Sequence, residues 1–148
     1  KFTDYDNFYL SLGNPYSGGT SILYDNTGNY VPRVPKLHAN LTTVYRITDT
    51  QRLSAEIDSS SSYYADEINQ EKIDGHTVLN LLWNADFDKN DNYQWSIFAR
   101  IDNALDEYYF NTARGFYDAD YDGTYDADDL SIVVNQGRTY TVGAEVKF

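Results

Sequence analysis

Apolar and polar residues alternate one by one along much of this chain, and each stretch of alternation predicts a β-strand with one apolar face. In RTYTVGAEVKF, residues 138–148, Tyr140, Val142, Ala144, Val146 and Phe148 oppose Thr139, Thr141, Gly143, Glu145 and Lys147. From Lys36, the residues Leu37, Ala39, Leu41, Thr43, Tyr45 and Ile47 share a face against His38, Asn40, Thr42 and Arg46. Leu53, Ala55 and Ile57 then oppose Arg52, Ser54, Glu56 and Asp58, in a segment predicted over Arg52 to Tyr64 whose SSSSYY half loses its apolar face. Thr77 to Phe87 sets Leu79, Leu81, Trp83, Ala85 and Phe87 against Val78, Asn80, Leu82, Asn84 and Asp86, and Gln94 to Asp102 sets Trp95, Ile97, Ala99 and Ile101 against Ser96, Phe98, Arg100 and Asp102.

The connections alternate in length. Polar turns at Thr48 to Gln51 and at residues 88–92 are short, whereas residues 65–75 and 104–137 form long loops. An antiparallel meander with one short-turn end and one long-loop end is the layout of outer-membrane barrels. Segments of about 9 to 11 residues also match a tilted strand crossing a hydrocarbon layer. Residues 1–36 are less regular. A strand is expected from Asn7 to Leu12, then Gly13, Asn14, Pro15, Gly18 and Gly19 interrupt, and NTGNYVPRVP (26–35) reads as a loop because Pro32 and Pro35 cannot donate to a ladder.

Composition sharpens the picture. The chain has 148 residues, 15 Tyr, 7 Phe and 2 Trp, an excess of side chains that suit a boundary between water and an apolar phase. No apolar run reaches the roughly 18 residues of a membrane helix, which leaves strand-based spanning open. Cysteine is absent, so neither disulfides nor thiolate-bound metal hold the fold. A net charge of −12 disfavours nucleic acid, which needs clustered Lys and Arg. No Ser-centred nucleophile motif is present, the two histidines are isolated, and no carboxylate lies on an apolar face, so the expectation is a protein without enzymatic activity.

Two groups of residues invite ligands. In DADYDGTYDADD, Asp118, Asp120, Asp122, Gly123, Thr124, Asp126 and Asp129 occupy positions 1, 3, 5, 6, 7, 9 and 12 of the calcium-loop pattern, with hard oxygen donors at alternate positions and Gly at the turn. The terminal Asp resembles the dockerin version of that loop. A Ca2+ site at Asp118, Asp120, Asp122, Thr124, Asp126 and Asp129 is weighed against a solvated acidic loop. The aromatics Tyr63, Tyr64, Tyr108, Tyr109, Phe110, Phe116 and Tyr117 fall in or beside the long loops, as small-molecule contacts or as ordinary loop packing. Tyr45, Trp83, Trp95, Tyr140 and Phe148 are candidates for interfacial girdles.

Taken together, VPRVPKLHANLTTVYRI (31–47), WSIFARIDNALDEYY (95–109) and the closing GRTYTVGAEVKF make the chain resemble the carboxy-terminal part of a TonB-dependent outer-membrane receptor. The resemblance covers roughly residues 28–148. It implies an all-β fold, an antiparallel meander of five to six strands belonging to a barrel of about 22 strands around an amino-terminal plug. It divides the chain into a strand-and-loop region at 1–36 and barrel strands at 37–148, with loops 65–75 and 104–137 outside the cell. The implied function is uptake across the bacterial outer membrane of a scarce ligand, such as a ferric siderophore, another metal chelate, cobalamin or a carbohydrate. The implied partners are outer-membrane lipid, the remaining barrel and plug, the small-molecule ligand, and the TonB complex reached through an amino-terminal part that these residues do not contain. The alternative is a soluble or surface-displayed calcium-binding β-sheet adhesion module.

Overall fold

A computed structural model describes residues 8–13, 18–90, 93–115 and 117–147. The described residues form strands β1 (Phe8–Leu12), β2 (Thr20–Tyr24), β3 (His38–Arg46), β4 (Gln51–Ser60), β5 (Tyr63–Tyr64), β6 (Lys72–Ile73), β7 (His76–Asn90), β8 (Tyr93–Asp102), β9 (Phe110–Arg114), β10 (Ser131–Val134) and β11 (Thr139–Lys147), with one 3-10 turn at Ala127–Asp129. The fold is all-β and every strand pairing is antiparallel.

Two compact units share the chain. The sheet unit comprises His38–Ser60, His76–Tyr108 and Gln136–Phe148; the loop unit comprises Lys1–Leu37, Ser61–Gly75 and Tyr109–Asn135. The units therefore interleave along the sequence, and the expected division at residue 36 marks only the first crossing between them.

The sheet unit is a single five-stranded meander in the order β11-β8-β7-β4-β3. Its register aligns the apolar faces read from the sequence: Tyr45 opposes Leu53, Leu53 opposes Trp83, Trp83 opposes Ala99 and Ala99 opposes Val142. A neighbouring row runs Thr43, Ala55, Leu81, Ile101 and Tyr140. Because the side-chain period of a strand is two, this alignment places a continuous apolar surface on one side of all five strands. That surface is open: Leu41, Tyr45, Tyr140 and Val146 are exposed, and Val142 is 81% exposed. Ala85, between Gln51 and Ile97, is buried by its neighbours.

The other face is laced with polar contacts. His38 Nε2 lies 2.9 Å from Asp58 Oδ2, Asn40 donates to Glu56 Oε1 at 2.8 Å, and Arg52 and Arg100 pair with Asp86 and Asp102, each at 2.6 Å. Exposed pairs of this kind add little stability, but they give Glu56, Asp58, Asp86 and Asp102 hydrogen-bonding partners along one face.

Three boundaries differ from expectation. β7 continues to Asn90, so residues 88–90 of the expected turn belong to the strand, with a register irregularity between Asp88 and Asn90. β4 stops at Ser60, and only Tyr63–Tyr64 resumes as β5, paired with β6 inside what reads as a loop. Residues 104–137, expected as a loop, hold β9 and β10, the latter the strand Ser131–Val134. Short pairings of two to five residues carry too few alternations to be read from sequence.

Candidate functional site

The loop unit has a thin apolar core. Ala65, Ile73 and Ala113 are buried together, with Tyr63, Phe110 and Leu130 packed against them. Two small alanines contribute little transfer energy, and buried polar side chains hold the segments instead. Asn69, at φ 60°, accepts from the Tyr30 amide at 2.6 Å and donates to the Tyr30 carbonyl at 2.9 Å. Asp66, 2% exposed, accepts from the amides of Gln70 and Glu71 at 3.0 and 2.7 Å, and the Arg33 guanidinium meets Glu67 Oε1 at 3.3 Å. Gln70 Nε2 donates to the Tyr125 carbonyl at 2.5 Å, joining residues 61–75 to the acidic loop.

The acidic loop is also tied to the β1–β2 hairpin. The Asp118 amide donates to the Ser11 carbonyl at 3.1 Å, and Asp118 Oδ2 accepts from the amides of Gly13 at 2.5 Å and Gly123 at 2.8 Å. Gly123, at φ 95°, supplies the left-handed turn that brings its amide back to Asp118. At the other end of the loop, Asp129 Oδ1 accepts from Ala119 at 2.5 Å and Oδ2 from Asp126 at 2.8 Å.

These bonds bring three of the sequence candidates together. Carboxylate oxygens of Asp118, Asp120 and Asp129 all lie within 4.8 Å of one another. The carboxylates of Asp122 and Asp126 lie outside that group: Asp122 Oδ1 accepts from the Thr124 amide at 2.7 Å, and Asp126 caps the 3-10 turn by accepting from Asp128 at 2.9 Å. Burial pushes the Asp118 carboxyl up, but the amides of Gly13, Gly123 and Tyr121 outweigh it and hold the group below its usual range. Asp120 moves the other way: its bond from the Asp122 amide favours the charged form, but desolvation, the charges of Asp122 and Asp129 and a hydrogen bond with the Asp118 side chain together raise it.

A second acidic feature was missed in the sequence because its members are scattered. Glu71 is raised by burial first and then by Asp66, Asp126 and Asp129, and the buried Tyr125 hydroxyl is raised by burial and by Asp66, Glu71, Asp129 and Glu67. The pairing of residues 61–75 with the acidic loop concentrates this negative charge, and no local spacing signals it.

The aromatic candidates do not form one site. Tyr63 belongs to the loop unit's core, and Tyr64 stacks on Tyr30 at 6.1 Å with the Lys36 ammonium 4.0 Å from the Tyr30 ring. Tyr63 and Tyr64 line a small cleft with Tyr30, Val34, Lys36, Ser62 and Lys72. Phe110 packs on the same core as Tyr63, Tyr109 accepts the Asn135 amide on its carbonyl, and Tyr117 bridges to Ser11. Tyr108 is 72% exposed in the sheet unit, and Phe116 lies outside the described residues. On the apolar face of the sheet, Trp95 stacks on Phe87 at 4.3 Å near the short-turn end, where Tyr45 also lies; Tyr140 is at the opposite end of its strand and Phe148 is outside the described residues.

The segment 95–109 ends in a specific turn. Asn103, 2% exposed with φ 51°, accepts from the Glu107 amide and donates to the Glu107 carbonyl, while its own amide donates to Asn80 Oδ1. Asp106 Oδ1 then accepts from the Arg138 amide at 2.9 Å, fixing the end of β8 to the start of β11.

No family model and no curated protein matches the sequence. Solved structures do match. The chain superposes on the ferric citrate transporter FecA in its unliganded form with a TM-score of 0.65, over 87% of this chain and 20% of that one, at 22% identity. The fold is that of a TonB-dependent receptor barrel. BauA, the ferric preacinetobactin receptor from Acinetobacter baumannii, gives a TM-score of 0.58 at 20% identity, covering 87% of this chain and 18% of BauA. FyuA, the ferric yersiniabactin uptake receptor from Yersinia pestis, gives 0.54 at 19% identity, covering 86% and 19%. The chain thus spans about a fifth of the length of these receptors. Five strands with two open edges are what part of such a wall looks like, and closure requires strands beyond β3 and β11.

Proposed function

We propose that this chain is the carboxy-terminal portion of an outer-membrane receptor that takes up a scarce ligand in a TonB-dependent manner. The observation that carries this reading is the apolar surface running in register across β3, β4, β7, β8 and β11, exposed on one side of the sheet while ion pairs line the other. In water a surface of that extent favours association. Against lipid it is the expected outer wall of a barrel, and the charged face lines the lumen. Each of the three matching receptors is named for a ferric chelate, so a ferric chelate is the favoured ligand class among those considered. The chain's part is to complete the wall with its strands.

The test is uptake of radiolabelled iron, supplied as a panel of ferric chelates, by iron-limited cells with and without the full-length protein. Uptake of at least one chelate is expected to depend on the protein and to collapse with a protonophore, and the protein is expected in the outer-membrane fraction. Recovery in a soluble fraction, or unchanged uptake of every chelate on deletion, overturns the reading.

A further inference from the structure

We infer that Asp118, Asp120 and Asp129 hold a calcium ion, and that this ion fastens the acidic loop to the β1–β2 hairpin. The geometry suits the ion. Calcium takes oxygen ligands at 2.3–2.6 Å, so two ligands on opposite sides of it stand about 5 Å apart at most. The three carboxylates bring oxygens within 4.8 Å of one another. They contain no nitrogen or sulfur donor, which favours a hard cation over a transition metal.

A second observation separates this cluster from an ordinary acidic surface. Asp118 is 1% exposed, and its Oδ1 has no hydrogen-bond partner among the described residues, although Oδ2 takes two backbone amides. Leaving a buried carboxylate oxygen without a donor is costly, and sequences seldom retain it without a compensating group. Among the described residues no amide, hydroxyl or basic side chain bonds Oδ1, and their ion pairs include none of the three aspartates. A cation facing Oδ1 satisfies that oxygen and neutralises Asp120 and Asp129 together.

Asp118 also explains what the ion would do. The same carboxylate that presents Oδ1 to the cation holds the Gly13 amide through Oδ2, and its own amide holds Ser11. Calcium therefore fixes the rotamer on which the hairpin contact depends. With an apolar cluster as thin as Ala65, Ile73 and Ala113, the loop unit depends on polar contacts of this kind to keep its segments together.

The experiment uses the full-length protein in detergent, stripped with EGTA and titrated with calcium chloride by calorimetry, with limited proteolysis in parallel. A site with a dissociation constant on the order of 10⁻⁴–10⁻³ M is expected, as in extracellular modules. Asp120→Asn, at an exposed position, is expected to remove one equivalent of binding, while Asp128→Asn, in the same loop but outside the cluster, leaves the stoichiometry unchanged. Calcium is expected to protect both the 118–129 loop and the β1–β2 hairpin from cleavage. No saturable binding by about 10 mM, or equal loss in both variants, overturns the site. Protection of the acidic loop alone overturns the clamp. None of these readouts depends on ligand uptake.

Discussion

The ring of Phe98 in β8 occupies the space that a side chain on Gly143, its partner in β11, would need. A Cβ on Gly143 would stand 2.6 Å from Phe98 Cζ and meet Cε1 as well. Glycine in a strand costs conformational entropy, and here the facing aromatic covers the bare backbone and compensates for it. Gly143→Ala is expected to destabilise the sheet by about 1–3 kcal/mol, the usual cost of overpacking. In a Phe98→Ala background the same change is expected to be near neutral. Urea unfolding in lipid vesicles, followed by Trp fluorescence, measures both.

Val142 distinguishes lipid from water. It lies near the middle of β11 and is highly exposed, so in a soluble sheet Val142→Arg would change stability by no more than a few tenths of a kcal/mol. Facing lipid, the same change is expected to cost about 2–4 kcal/mol. Thr141→Glu, one residue away on the opposite face and beside Arg100, is expected to be tolerated. Parallel unfolding titrations of the two variants in vesicles give the comparison.

Asn69 is predicted to matter for its side chain and its backbone separately. Its amide group makes two bonds to Tyr30, and its φ of 60° is a region that Asn tolerates better than Ala. Asn69→Gly keeps the backbone and loses the bonds, at about 1–3 kcal/mol. Asn69→Ala also incurs the backbone strain and is expected to be worse. The rate of proteolysis within residues 61–75 ranks them.

Glu71 gives a pH prediction. Its folded value lies above its ordinary 4.5, because burial and the charges of Asp66, Asp126 and Asp129 disfavour ionisation. A raised carboxyl favours the folded state below the ordinary value, and that contribution is lost as pH rises through the folded value. In EGTA, Glu71→Gln is therefore expected to protect the loop unit from proteolysis at pH 7 and to lose that advantage near pH 4. An advantage that persists at pH 4 would show a packing effect instead of a charge effect.

Much of the sheet unit was legible in the sequence. Alternation of period two is a local property, and β3, β4, β7, β8 and β11 each carry enough of it to declare both strand and face. Antiparallel neighbours joined by short turns, β3 with β4 and β7 with β8, also leave few choices of register, which is why Tyr45 lines up with Leu53 and Trp83 with Ala99 as their faces predict. The calcium-loop spacing was equally visible, because its donors are contiguous in DADYDGTYDADD.

The loop unit was not legible, for the complementary reason. Its strands β2, β5, β6, β9 and β10 run two to five residues, too short for a period to emerge, and its stability rests on contacts between segments far apart in the chain. Asp118 reaches Gly13 across 105 positions, and Asn69 reaches Tyr30 across 39. The sequence by itself determined which faces are apolar and where the oxygen donors lie. Only the tertiary structure decided that the carboxylates of Asp118, Asp120 and Asp129 converge while those of Asp122 and Asp126 do not, because convergence depends on which backbone amides each carboxylate has already bound.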